Sequence, residues 1–83
     1  MNKMNYEKFM TDLVGPLIRY PDEMVVKKFA DEDNKIVIHI MVNPEDIGRI
    51  IGKKGRIINS IRTIAYACAA KNGKRIEISV DSF

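Results

Sequence analysis

The chain has 83 residues, 46% of them hydrophobic and 30% charged, with a formal net charge of +3. That length supports one small domain, 1–83, and excludes a second domain, a repeat array or a deep enzyme cleft. The composition excludes a disordered chain, and the single cysteine, Cys68, excludes an internal disulfide framework and suits a reducing compartment.

The charge is unevenly spread. Residues 1–34 hold five basic and seven acidic side chains, whereas residues 35–83 hold nine and four. Arg49, Lys53, Lys54, Arg56 and Arg62 fall in a 14-residue window without an acid. Such a window is either a solvated basic face or a place where an anion sits. The charged N-terminus has no apolar region of a signal peptide, and no charge-free run approaches the roughly 20 residues of a membrane span. A cytoplasmic protein without a membrane span is expected.

The elements follow in order. Tyr6, Phe9, Met10, Leu13, Val14 and Leu17 recur at helical spacing and predict a first helix with one buried face. Pro16 shortens its last turn, and Tyr20-Pro21 lies beyond its end. Met24 to Phe29 reads as a strand, Asp31 to Asn34 as a polar turn, and Lys35 to Val42 as a second, antiparallel strand. In that second strand Ile36, Ile38, Ile40 and Val42 face one way, and Val37, His39 and Met41 the other. Asn43 caps a short helix that Pro44, Glu45 and Asp46 begin and that ends near Ile51. A second helix runs from about Arg56 to Lys71 and stops at Asn72-Gly73. Its predicted core face is Ile57, Ile61, Ile64 and Cys68. Arg75 to Val80 forms the last strand. The order α-β-β-α-α-β predicts an α+β fold: a three-stranded mixed sheet, Lys35–Val42 central, with the helices packed on one face.

Gly52-Lys53-Lys54-Gly55 separates the two later helices. Glycines there permit a tight turn and let another backbone approach closely. The positive end of the following helix, with Lys53 and Lys54, suits a phosphate backbone. The bland alternative is a helix corner that uses glycine for geometry alone. The run from Ile51 to Ile58 resembles the signature of KH domains, the RNA-binding modules whose GxxG loop clamps about four nucleotides. The element order matches their type II arrangement, over nearly the whole chain. Pro16-Leu17, Pro21-Asp22-Glu23, Pro44-Glu45-Asp46 and Gly73-Lys74-Arg75 further resemble the small single-domain KhpA family of bacteria. The resemblance implies a single-stranded RNA-binding protein, an RNA chaperone or post-transcriptional regulator linked to cell-envelope growth and cell shape. It also implies a homodimer that pairs with a larger multidomain KH protein. It assigns Gly52 and Gly55 to backbone approach and Lys53 and Lys54 to the phosphates.

Around the loop, Arg49 and Arg56 are expected to flank the phosphate path and Arg62 to extend the basic rim. Ile47 and Ile50 are expected to line an apolar floor for the bases, with Ile51 and Ile57 in the core. No aromatic residue lies near the loop, which predicts weak binding with little sequence preference. Thr63, Tyr66, Ala67 and Ala70, on the outward side of the last helix, make a flat, weakly charged surface suited to a symmetric dimer. His39 is expected on the open face of its strand, and no spacing indicates a metal, a cofactor or a catalytic constellation. A rival reading is an interaction adaptor that uses the fold for dimerisation, with a vestigial RNA site.

Overall fold

The structure, a computed structural model, describes residues 4–32 and 34–83, with residues 30–32 described through their backbone alone. Helix α1 spans Tyr6–Val14, capped by Asn5, whose side chain accepts from the Lys8 amide at 3.0 Å. Tyr6, Met10 and Val14 are its buried face. The chain then tightens into a turn at Gly15–Leu17, which contains Pro16. Leu17, expected on the buried face, is 41% exposed, because the helical period lapses beyond Val14; Ile18 is buried instead.

Strands β1 (Val25–Glu32) and β2 (Lys35–Val42) pair antiparallel. The hairpin is longer than expected. Asp31 and Glu32, read as turn residues, pair with Ile36 and Lys35 along the ladder. Of the predicted turn, Asn34 remains a turn residue, and Asp33 lies outside the described residues. Asn34 takes φ 62°, a conformation asparagine tolerates better than most residues. Strand β3 (Arg75–Ser82) lies parallel to β2, from Lys35 opposite Arg75 to Val42 opposite Ser82, two residues longer than predicted. Strand β2 is therefore central in a β1-β2-β3 mixed sheet.

One face of the sheet carries the core. Ile36, Ile38, Ile40 and Val42 are fully buried, together with Ile76 and Ile78 of β3 and residues from every helix. The face bearing Val37, His39 and Met41 is only half covered. This is the type II KH arrangement, with helices on one face.

Helix α3 spans Arg56–Lys71. Its buried face is Ile58, Ile61, Ala65 and Ala69, not the predicted set beginning at Ile57. Ile57 and Ile64 are 37% and 45% exposed, and Cys68 is half-buried. Both sets satisfy the helical period. The alanines win because small side chains let the helix lie close against the sheet. Beyond α3, Gly73 at φ 68° lets the Gly73 amide donate to Ala70 and the Lys74 amide to Ala69, closing the helix end. Among the described residues no helix is long and apolar enough to cross a membrane.

Candidate functional site

Helix α2 is a five-residue segment, Ile47–Ile51, followed by a turn at Lys53–Gly55 that leads directly into α3. Gly52 has φ 75° and ψ 172°, a region that essentially only glycine enters. A Cβ built there would meet Ile57 Cγ1 at 2.6 Å and Ile57 Cβ at 2.9 Å. Gly52 is therefore required twice over, by its own torsions and by the isoleucine beneath it. Lys54 (φ 59°, ψ 24°) and Gly55 (φ 73°, ψ 16°) are both left-handed, the mirror image of the common turn. Gly55 has room for a Cβ, with its nearest neighbour at 3.7 Å.

A lysine in the left-handed region costs about 1–2 kcal/mol. Strain of this kind concentrates where a site needs a fixed geometry. Lys53, Lys54 and Arg56 are all exposed and have no partner among the described residues. Gly55 gives α3 no side-chain cap, and the first turn of α3 holds no acid. The amides at the start of a helix lack intrahelical acceptors, so that turn presents uncompensated positive charge beside three free cations.

The other predicted contacts lie differently. Arg49 is bound back to the turn that precedes its helix: it donates to the Glu45 carbonyl at 2.7 Å and to the Asp46 carboxylate at 3.2 Å. Arg62 donates to the Ile78 carbonyl of β3 at 3.2 Å and ties α3 to the sheet, so it does not extend a free basic rim. Ile50 is fully buried and belongs to the core; of the expected floor, only Ile47 is partly accessible. Ile51 packs at the core margin, whereas Ile57, expected inside, lies under Gly52 with one edge in solvent.

Asp46 had been legible only as an acid near a helix start. It is fully buried and accepts from the backbone amides of Arg19 at 2.8 Å and Tyr20 at 2.9 Å, besides Arg49. Burial alone would raise its carboxyl pKa. The two amides and the Arg49 guanidinium outweigh that and hold it below its ordinary value of 3.8. Asp46 thus fastens the start of α2, and with it the glycine loop, to the segment after α1. The ionised form is the one favoured by folding, so its stabilisation is complete above the unfolded value and lost as pH falls through the folded one. Asp46→Asn is expected to be less stable at pH 7, since its amide group meets a backbone amide. In urea unfolding from pH 7 to 3 the gap from wild type should close below about pH 4; a gap independent of pH would contradict this.

The family model described as "KhpA/KhpB, KH domain" matches residues 7–80. The chain belongs to the KhpA family of small KH-domain proteins. Its relatives include proteins named RNA-binding protein KhpA. That of Oceanobacillus iheyensis is 43% identical over 82% of this chain and 89% of its own length. Those of Lactiplantibacillus plantarum and Bacillus subtilis are 39% and 30% identical, covering 87% and 96% of this chain and 84% and 98% of their own. No solved structure matches the chain significantly.

This KhpA-family chain has a second notable surface on α3. Thr63, Tyr66, Ala67 and Ala70 are all exposed, Tyr66 at 48%. Ile64 and Tyr66 are two residues apart and so border opposite flanks of that surface. The Ser60 and Thr63 hydroxyls donate to the carbonyls of Arg56 and Asn59, which engages their protons within the helix. Ile57 and Ile64, missed as outward residues by sequence reasoning, enlarge the apolar area.

Proposed function

We propose that the chain is a one-domain protein that binds single-stranded RNA without catalysis, clamping the phosphate backbone at Gly52-Lys53-Lys54-Gly55. One observation carries the reading: a glycine-framed turn, held in a strained conformation, sets lysines without a partner among the described residues at the uncapped positive end of α3. The naming of its relatives as RNA-binding proteins supports it. Gly52 and Gly55 allow the backbone to approach, Lys53, Lys54 and Arg56 meet phosphates, and Ile47 touches a base. Weak, sequence-tolerant binding in the cytoplasm fits an RNA chaperone or post-transcriptional regulator. Titrating labelled four-nucleotide strands of different sequence should give similar, modest affinities. Absence of binding at low salt would overturn the proposal.

The outward surface of α3 favours self-association in addition, through Thr63, Tyr66, Ala67 and Ala70. The same surface suits a larger KH partner. Tyr66→Glu places a carboxylate on the flank of each copy's contact surface in such a dimer and should convert it to monomer, halving the mass seen in sedimentation. The half-exposed side chain can change at little cost to the fold. A variant that sediments as wild type does would contradict this interface.

A further inference from the structure

The sheet face opposite the helices has its own chemistry. Strand β1 bulges between Lys28 and Ala30. At the bulge Phe29 is 66% exposed, and its ring lies 5.9 Å from that of His39, tilted by 43°. The register sets Lys27, His39 and Ser79 in one row across the three strands. Lys27 is exposed and has no partner among the described residues. Two acids flank Ser79 on this face: Glu77 is paired with Lys35 at 3.0 Å, and Asp81, one row further along, accepts from the Ser82 amide at 2.9 Å. An exposed aromatic ring, propped by a second ring and flanked by a free cation, is what a nucleobase and its phosphate require.

We propose that this open sheet face is a second contact for single-stranded RNA, with a base stacked on Phe29 and the adjoining phosphate met by Lys27. The inference rests on the RNA reading of the glycine loop but concerns a surface on the other side of the sheet. A second copy of the chain fits this face less well. A twofold contact would bury Lys27, Arg75 and the Lys35–Glu77 pair against their own copies, and desolvated charge is costly.

The chain has no tryptophan, so Phe29→Trp supplies a single reporter. Its fluorescence should be quenched by a single-stranded RNA of about 15 nucleotides, within the range of known single-strand sites. Phe29→Ala should weaken binding of that RNA about tenfold, the scale of one lost stacking contact. It should leave binding of a four-nucleotide strand unchanged. Lys27→Glu should act in the same direction and guards against a folding defect in Phe29→Ala. Unquenched fluorescence together with unchanged affinity for the long strand would overturn the proposal. So would a lower sedimentation mass of RNA-free Phe29→Ala, which would give the face to a second copy. Failure of the glycine-loop reading is read separately, as unaltered four-nucleotide binding in Lys53→Asp/Lys54→Asp.

Discussion

Gly52→Ala is expected to lower the stability of the fold by about 3 kcal/mol, whereas Gly55→Ala costs about 1 kcal/mol. At Gly52 two effects combine. Torsions in a glycine-only region cost about 1–3 kcal/mol. Forcing a methyl group against packed atoms costs about 1–3 kcal/mol more. The clash cannot be relieved by a rotamer change alone, because Ile57 Cβ itself lies 2.9 Å from the added atom. Gly55 is only left-handed and has space, so alanine there meets the conformational cost of about 1–2 kcal/mol, partly offset through the unfolded chain. For a domain of this size, 1 kcal/mol moves Tm by about 4–8 °C. Thermal unfolding should therefore separate the two variants by roughly 10 °C. Equal losses, or a larger loss at Gly55, would contradict the loop geometry.

Lys53→Asp/Lys54→Asp is expected to reduce RNA affinity at least about 100-fold while leaving the protein folded. Hydrogen bonds to a charged group contribute about 1.5–3 kcal/mol each, so losing two exceeds two factors of ten, before any repulsion. The formal net charge falls from +3 to −1. The fold has reason to tolerate the change or gain from it. Both side chains are exposed. Aspartate enters the left-handed region more readily than lysine, and an acid beside the N-terminus of α3 complements its dipole. Stability and binding should thus move in opposite directions, and lost binding then cannot be ascribed to unfolding. Circular dichroism melting paired with a titration reads both. Intact affinity in a folded variant would remove the lysines from the site.

Most of the fold was legible in local sequence. The alternating isoleucines of β2 give a strand buried on one face, and Asn43, Pro44 and the two glycines mark where helices start and stop. The register of α3 was not legible, because Ile57-Ile58 is a tandem and either isoleucine begins an acceptable helical stripe. Hydrophobicity favoured the stripe through Ile64, but close approach to the sheet selects Ala65 and Ala69. The expected cations divided in the same way. Among the described residues Lys53, Lys54 and Arg56 are free, whereas Arg49 and Arg62 are held by Asp46 and by the Ile78 carbonyl. Those partnerships depend on tertiary contact, as does that of Asp46 with amides 26 and 27 residues away. No spacing rule reports such pairs.

The central claim is a phosphate clamp, and its most direct test is the salt dependence of single-stranded RNA binding. Three cations neutralising phosphates give a slope of log K against log salt of about −2, or roughly 16-fold weaker binding between about 50 and 200 mM. Wild type should show that slope. Lys53→Asp/Lys54→Asp should show weak binding that barely responds to salt. A wild-type affinity unaffected by salt would contradict the clamp.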